Sequence, residues 1–130
     1  MTMETALRAK LLAAAPVTNI VGTKVDWTKR PQGNTLPAVV LIMVTDPRPQ
    51  TMDGFVGFRE TRVQIDCYGA SRAQVVTLRE AVIAAIAVPG TTGGVIFGRA
   101  FINNVLDRGE DRETGFVHRD MIDAAIWHNA

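Results

Sequence analysis

Apolar positions recur with two different periods along the chain. In residues 4–15, ETALRAKLLAAA, Leu7 and Leu11 stand four apart, Leu12 and Ala15 widen the stripe, and Arg8 and Lys10 lie off it. That spacing predicts a short helix, and Pro16, which disfavours helical backbone at Ala15, predicts its end. Val17, Ile20 and Val21 then form one more turn or a packed loop, and Val25 and Trp27 suit a short irregular strand. Pro31, Gly33, Asn34 and Pro37 make residues 28–37 a polar turn region. Residues 38–45, AVVLIMVT, carry the strongest strand signal. Val39, Leu41 and Met43 point one way and Val40, Ile42 and Val44 the other. A strand apolar on both faces is expected to be covered on both, here by a helix and by a neighbouring subunit.

Residues 46–58, DPRPQTMDGFVGF, read as a long loop marked by Pro47, Pro49, Gly54 and Gly57. Loops of this length inside compact domains are often functional. Met52, Phe55, Val56 and Phe58 are too apolar for an idle solvent loop, so the segment either folds back on the core or docks on a partner. Residues 59–68 alternate: Thr61, Val63, Ile65 and Cys67 face inward, and Arg62, Gln64, Asp66 and Tyr68 form a polar outer face. Two antiparallel strands joined by an arm account for residues 38–68. Ser71 with Gln74 three positions on is a capping box. The helix that follows, 72–87, turns Val75, Leu78, Val82 and Ile86 inward and leaves Arg72, Arg79 and Glu80 outside. Val95–Phe97 is a very short strand in a Gly-rich stretch, residues 100–107 alternate as a further strand, and RGEDRETG, 108–115, is a charged turn. Residues 116–127 form the last strand, with Phe116, Ile122, Ala124 and Ile126 on one face and Val117, Met121, Ala125 and Trp127 on the other.

This order predicts an α+β fold, a mainly antiparallel sheet of about four strands packed by one long and one short helix. Repeats and interdomain linkers are absent from the pattern, so residues 1–130 are expected to form one domain.

Composition removes whole classes of function. The 130 residues are 47% hydrophobic and 21% charged, which opposes wholesale disorder. The net charge is +1, so no global field draws the chain to nucleic acid or anionic lipid, and sequence-specific nucleic-acid binding is not expected. Arginines outnumber lysines eleven to three, a bias toward fixed bidentate contacts. No secretory signal is visible, and the longest apolar run, Ala38–Val44, is far too short to span a bilayer. Cys67, the single cysteine, permits no internal disulfide and reads as a buried structural thiol.

Chemical candidates are few. His118, expected on an exposed sheet face, and His128, in the tail, belong to no HExxH, Cys/His or DxDxDG pattern, so neither a metal nor a cofactor is expected. Ser71 would need His118 and Asp120 to act as a nucleophile and lacks a GxSxG elbow; helix capping explains it better. GTTGGVIFG is neither a P-loop nor a dinucleotide fingerprint. Arg59, Arg62 and Arg72, set among Glu60 and Asp66, suit ion pairing across a sheet or subunit boundary. No catalytic residue is assigned and the chain is not expected to be an enzyme. What remains is apolar surface in surplus, as at a subunit interface, which a ring is one way to close.

The chain resembles the tail-completion or tail-terminator proteins (head-to-tail joining proteins) of long-tailed bacteriophages and phage-like particles. The resemblance runs from ALRAKLLA and VTNIVGTKV through RPQGNTLPAVVLIMV to GEDRETGFVHRDMIDAAIW. It is most specific in TMDGFVGFRETRVQIDCYGASRAQVVTLREAVIAAI, with Asp53-Gly54, the strand 62–68 and the second helix. It implies a structural protein of the virion, placed at the head-tail junction after assembly in the host cytoplasm. It also implies a ring, usually a hexamer, that ends tube growth and meets the tail tube protein on one side and the head connector or head-closure protein on the other. A head-closure or other minor morphogenetic role in the same particle is the alternative, and a small hydrolase a more distant one. The family offers no catalytic residues. The arm 46–59 and the turn 108–115 are the expected contact regions, with Arg48, Asp53, Phe55, Arg59, Arg62, Arg108 and Arg112 as the partner-binding candidates. Ordering of the arm on docking is expected to accompany ring closure.

Overall fold

The computed structural model describes residues 1–31, 35–112 and 115–129. Gly33 and Asn34 of the first turn region, and Glu113 and Thr114 of the charged turn, lie outside the described residues. The chain begins with α1 (Met3–Leu12) and α2 (Ala15–Val21), followed by β1 (Val25–Trp27) and β2 (Ala38–Thr45). The arm carries β3 (Gln50–Thr51) and β4 (Gly54–Phe55), and β5 (Arg59–Gly69) leads into α3 (Arg72–Ala87). A hairpin of β6 (Gly90–Thr92) and β7 (Val95–Phe97) precedes β8 (Phe101–Asp107), β9 (Glu110–Arg112) and β10 (Gly115–His128).

The α+β class holds, but the sheet is larger than expected. Among the described residues it has eight strands in place of about four, with three helices in place of two. The additions are the three-residue strands β1, β6, β7 and β9 and the seven-residue α2, each too short to display a period. The sheet runs β1-β2-β5-β10-β7-β6, with β8 and β9 also pairing with β10. Among the described residues only β1–β2 pair in parallel; β5 pairs antiparallel with β2 and, along eleven residues from Arg59 to Gly69, with β10.

Pro16 begins a helix instead of ending one. It sits in the first turn of α2, where its missing N–H has no intrahelical acceptor in any case, and α1 has already closed at Leu12. Ser71 caps α3 by accepting from the Gln74 amide at 3.2 Å, and the Ala70 amide in turn donates to the side-chain oxygen of Gln74 at 2.8 Å. The inner stripe of α3 is Val75, Leu78, Val82 and Ile86, and it packs on β5 and β10. The helical layer and one sheet face share a core that includes Leu7, Leu11, Val17, Val21, Leu41, Val63, Ile65, Cys67, Ile122 and Ile126.

Among the described residues no helix packs on the other sheet face, which carries a small second cluster of Val40, Tyr68 and Val117, with Leu36 and Ile42 against it. This face corrects the polar reading of β5: Asp66 and Tyr68 are buried there. Arg30 and Arg119 lie over the Tyr68 ring, and Gln64 donates to Asp66 at 3.1 Å. Burial pushes the Asp66 carboxyl up, against the hydrogen bond from Gln64 and the charge of Arg119. β2 is covered on both faces only over Ala38–Leu41; Met43 and Val44 emerge into solvent. A bulge opposite Asp123/Ala124 breaks the alternation expected of β8, so Ile102 and Val105 share a face across Asn103.

Candidate functional site

The loop expected at 46–58 contains a hairpin. β3 and β4 pair through Gln50↔Phe55 and Thr51↔Gly54, and the Val56 amide extends the ladder to the Pro49 carbonyl at 2.9 Å. Gly54 takes φ 120°, a region that side chains rarely adopt, which lets the Met52-Asp53 turn close tightly. The hairpin projects its apolar groups into solvent: Phe55 is 71% exposed, Met52 is fully exposed, and Val56 and Phe58 are exposed as well.

The arm is held at its root. Asp46 at one end and Arg59 at the other pair at 2.8 Å through Arg59 Nε, with Arg59 Nη2 donating to the second oxygen at 3.3 Å. Thr61 donates its hydroxyl to Asp46 at 2.8 Å, and Arg48 adds a contact at 2.9 Å. Thr61 also lies 2.7 Å from His128 Nε2, which ties the arm to the end of β10. His128 is thus not a tail residue; it closes β10 and is fully buried. Only 8% of the Asp46 side chain is exposed. Burial by itself raises its carboxyl, but the hydrogen bonds from Arg59, Thr61 and Arg48 together outweigh that and hold it at about 2.

The seven candidates occupy three places. Arg48, Asp53, Phe55 and Arg59 gather at the arm, where Arg48, Phe55, Arg59 and Asn129 line an open cleft of about 320 Å³. Arg62 lies on the helix-free sheet face, ion-paired with Asp123 of β10. Arg108 and Arg112 lie at the opposite end of the sheet, where Arg112 pairs with Glu110 and the expected turn is partly strand β9, paired with Gly115–Val117. The fourteen-residue β10 separates these ends by roughly 40 Å. The arginines do form ion pairs across the sheet, Arg59 with Asp46 and Arg62 with Asp123.

Two residues expected outside α3 carry a third cluster. Arg79 at 2.7 Å and Arg72 both bind Asp120, whose side chain is 1% exposed, and Arg72 also reaches Asp107 at 3.7 Å. Residues on one helix stripe and an aspartate some 40 positions later give no local signal, so sequence periodicity placed them in solvent. His118 is half-buried, its ring edge-on to Phe116 at 4.8 Å. Among the described residues no group of three or more His, Cys, Asp or Glu is placed to hold a metal ion, and no helix is long and apolar enough to cross a membrane.

No curated relative matches the chain. Among solved structures, a chain of the "Virion of native gene transfer agent (GTA) particle" has a similar fold, with a TM-score of 0.63 at 15% identity, covering 97% of this chain and 94% of that one. A family model, tail completion protein gp17, matches residues 5–121. The matched span takes in the helical layer, the arm and the first half of β10, and by it the chain belongs to the tail completion protein gp17 family, with a structural role in virion tail morphogenesis.

Proposed function

We propose that this chain, acting as one domain over residues 1–130, closes into a ring of identical subunits, a hexamer, at the head-proximal end of a tail tube. The ring stacks on the last tube ring by one end and meets a head connector or head-closure protein by the other. Growth stops because the second end lacks the surface that accepts another tube ring. The protein does this by shape and contact, without catalysis or a cofactor.

The observation that carries this reading is the arm: a preformed hairpin whose apolar side chains stand outside their own core. Contiguous exposed apolar surface of this kind belongs to interfaces. The two-ended placement of the candidates supports it further, with Arg48, Asp53 and Phe55 at one end of the sheet and Arg108 and Arg112 at the other. Electron microscopy of particles lacking the gene tests the role. Abnormally long tubes are expected; finished tails unattached to heads would instead assign the chain to head closure. Mass in solution, alone and with purified tube protein, tests the ring, and a chain that stays monomeric in both refutes it.

A further inference from the structure

We infer that, in the ring proposed above and resting on that reading, the arm of one subunit seats on the helix-free sheet face of a second copy, with Asp53 meeting Arg62 and Met52 and Phe55 entering the cleft beside it. Four observations point there. The cleft measures about 190 Å³ and is lined by Val44, Leu106 and Met121 with Gln64, Asn104 and the Arg62–Asp123 pair at its margin. It sets apolar side chains beside polar ones, the mixture found at protein contacts. The hairpin is the complementary shape, apolar at Met52 and Phe55 with one charge, Asp53, at its turn. Among the described residues the Asp53 carboxylate meets no cation; only its amide is engaged, with Thr51. Arg62 spends two nitrogens, Nε and Nη2, on Asp123 and is still 46% exposed, so Nη1 remains to receive a second carboxylate.

The occupant is a second copy and not the same chain's own arm. The Asp46–Arg59–Thr61 ties fix both ends of the hairpin where β2 ends and β5 begins, and Met52 at its tip is fully exposed. The arm and the cleft are therefore both open in one chain, and each supplies what the other lacks. Such a contact is heterologous, joining different patches on the two copies, and heterologous contacts generate rings when the rotation closes.

Mixing two single-site variants tests this. Met52→Cys and Leu106→Cys chains are combined and treated with a short bis-maleimide; Cys67 is buried and stays silent. A cross-linked dimer is expected only when both variants are present. In parallel, Asp53→Lys weakens self-association about tenfold or more, Arg62→Glu does the same, and the double variant regains most of the loss. Asp53 is exposed on a hairpin turn, so its variant folds and keeps the test decisive. A ring that forms without the cross-link and ignores Asp53→Lys overturns this docking and leaves the ring standing. A cross-link from Met52→Cys to tube protein in place of a second copy also overturns it. A chain that never associates, alone or with tube, removes the ring itself.

Discussion

Replacing Asp46 with asparagine removes one charge and keeps nearly the same shape, so its effect isolates the arm-root ties. Holding that carboxyl at about 2 instead of 3.8 corresponds to roughly 2.5 kcal/mol of preference for the charged form in the folded chain. Water near the arm screens part of this, so the expected cost of Asp46→Asn at pH 7 is about 1–2 kcal/mol. In urea this moves the unfolding midpoint down by roughly 0.5–1 M for an ordinary dependence on denaturant. The pH dependence follows from the sign of the shift. A carboxyl depressed by folding contributes fully above its unfolded value of 3.8, and the contribution fades as pH falls through about 2. The gap between the two proteins is therefore constant from pH 7 to about 5, narrows below 4 and closes near 2. Amide exchange supplies a second reading: protection at Val56, whose amide bonds to Pro49, falls in the variant while β5 and β10 keep theirs. Equal midpoints at pH 7, or a gap that persists at pH 2, refutes the assignment of these hydrogen bonds to arm anchoring.

Arg79→Ala strips the buried Asp120 of its better-covered partner and is expected to cost about 3 kcal/mol, whereas Arg72→Ala, at a half-exposed arginine, costs about 1; denaturant titration separates them. Ser71→Ala removes the α3 cap and lowers stability by about 1 kcal/mol with no change in the association of the chain, read by the same titration and by sedimentation. Cys67 is fully buried, and burial pushes its thiol up, so a thiol reagent labels it only at the rate of unfolding, and labelling speeds up in urea in step with loss of the far-ultraviolet signal.

The elements with a sustained period were legible in the sequence. The stripe Val75, Leu78, Val82 and Ile86, the inward set Thr61, Val63, Ile65 and Cys67, and the two faces of β10 all lie where their spacing puts them. Illegible were the features decided by neighbours remote in sequence. Asp66 has an outward position by alternation, yet it is buried, with Arg119 of β10 3.9 Å away and Gln64 donating to it. His128 looks like a loose end until β10 is seen to run to that residue and Thr61 to meet it. The β8 alternation failed at a bulge, which one extra residue creates and no composition announces. Pro16 was ambiguous by nature, since proline ends one helix and begins another with the same fixed φ.

The arm bears on how association proceeds. An arm that orders only on docking would spend part of its contact energy on fixing backbone, and its affinity would depend on that cost. Here the ladder from Gln50 to Val56 and the ties at Asp46 are already made within one chain. The expectation of ordering on docking therefore gives way to a preformed hairpin, whose tip side chains are the parts left to settle. In the proposed docking, affinity then resides in Met52, Asp53 and Phe55, while Asp46 sets the angle at which they are presented. Substitutions at the tip should raise the dissociation rate and leave stability untouched. Loosening the root should lower stability modestly and weaken association by the fraction of time the hairpin points elsewhere. Measuring both quantities on Phe55→Ala and Asp46→Asn separates the two roles. A Phe55→Ala chain that loses stability without losing association would show that the hairpin serves its own fold.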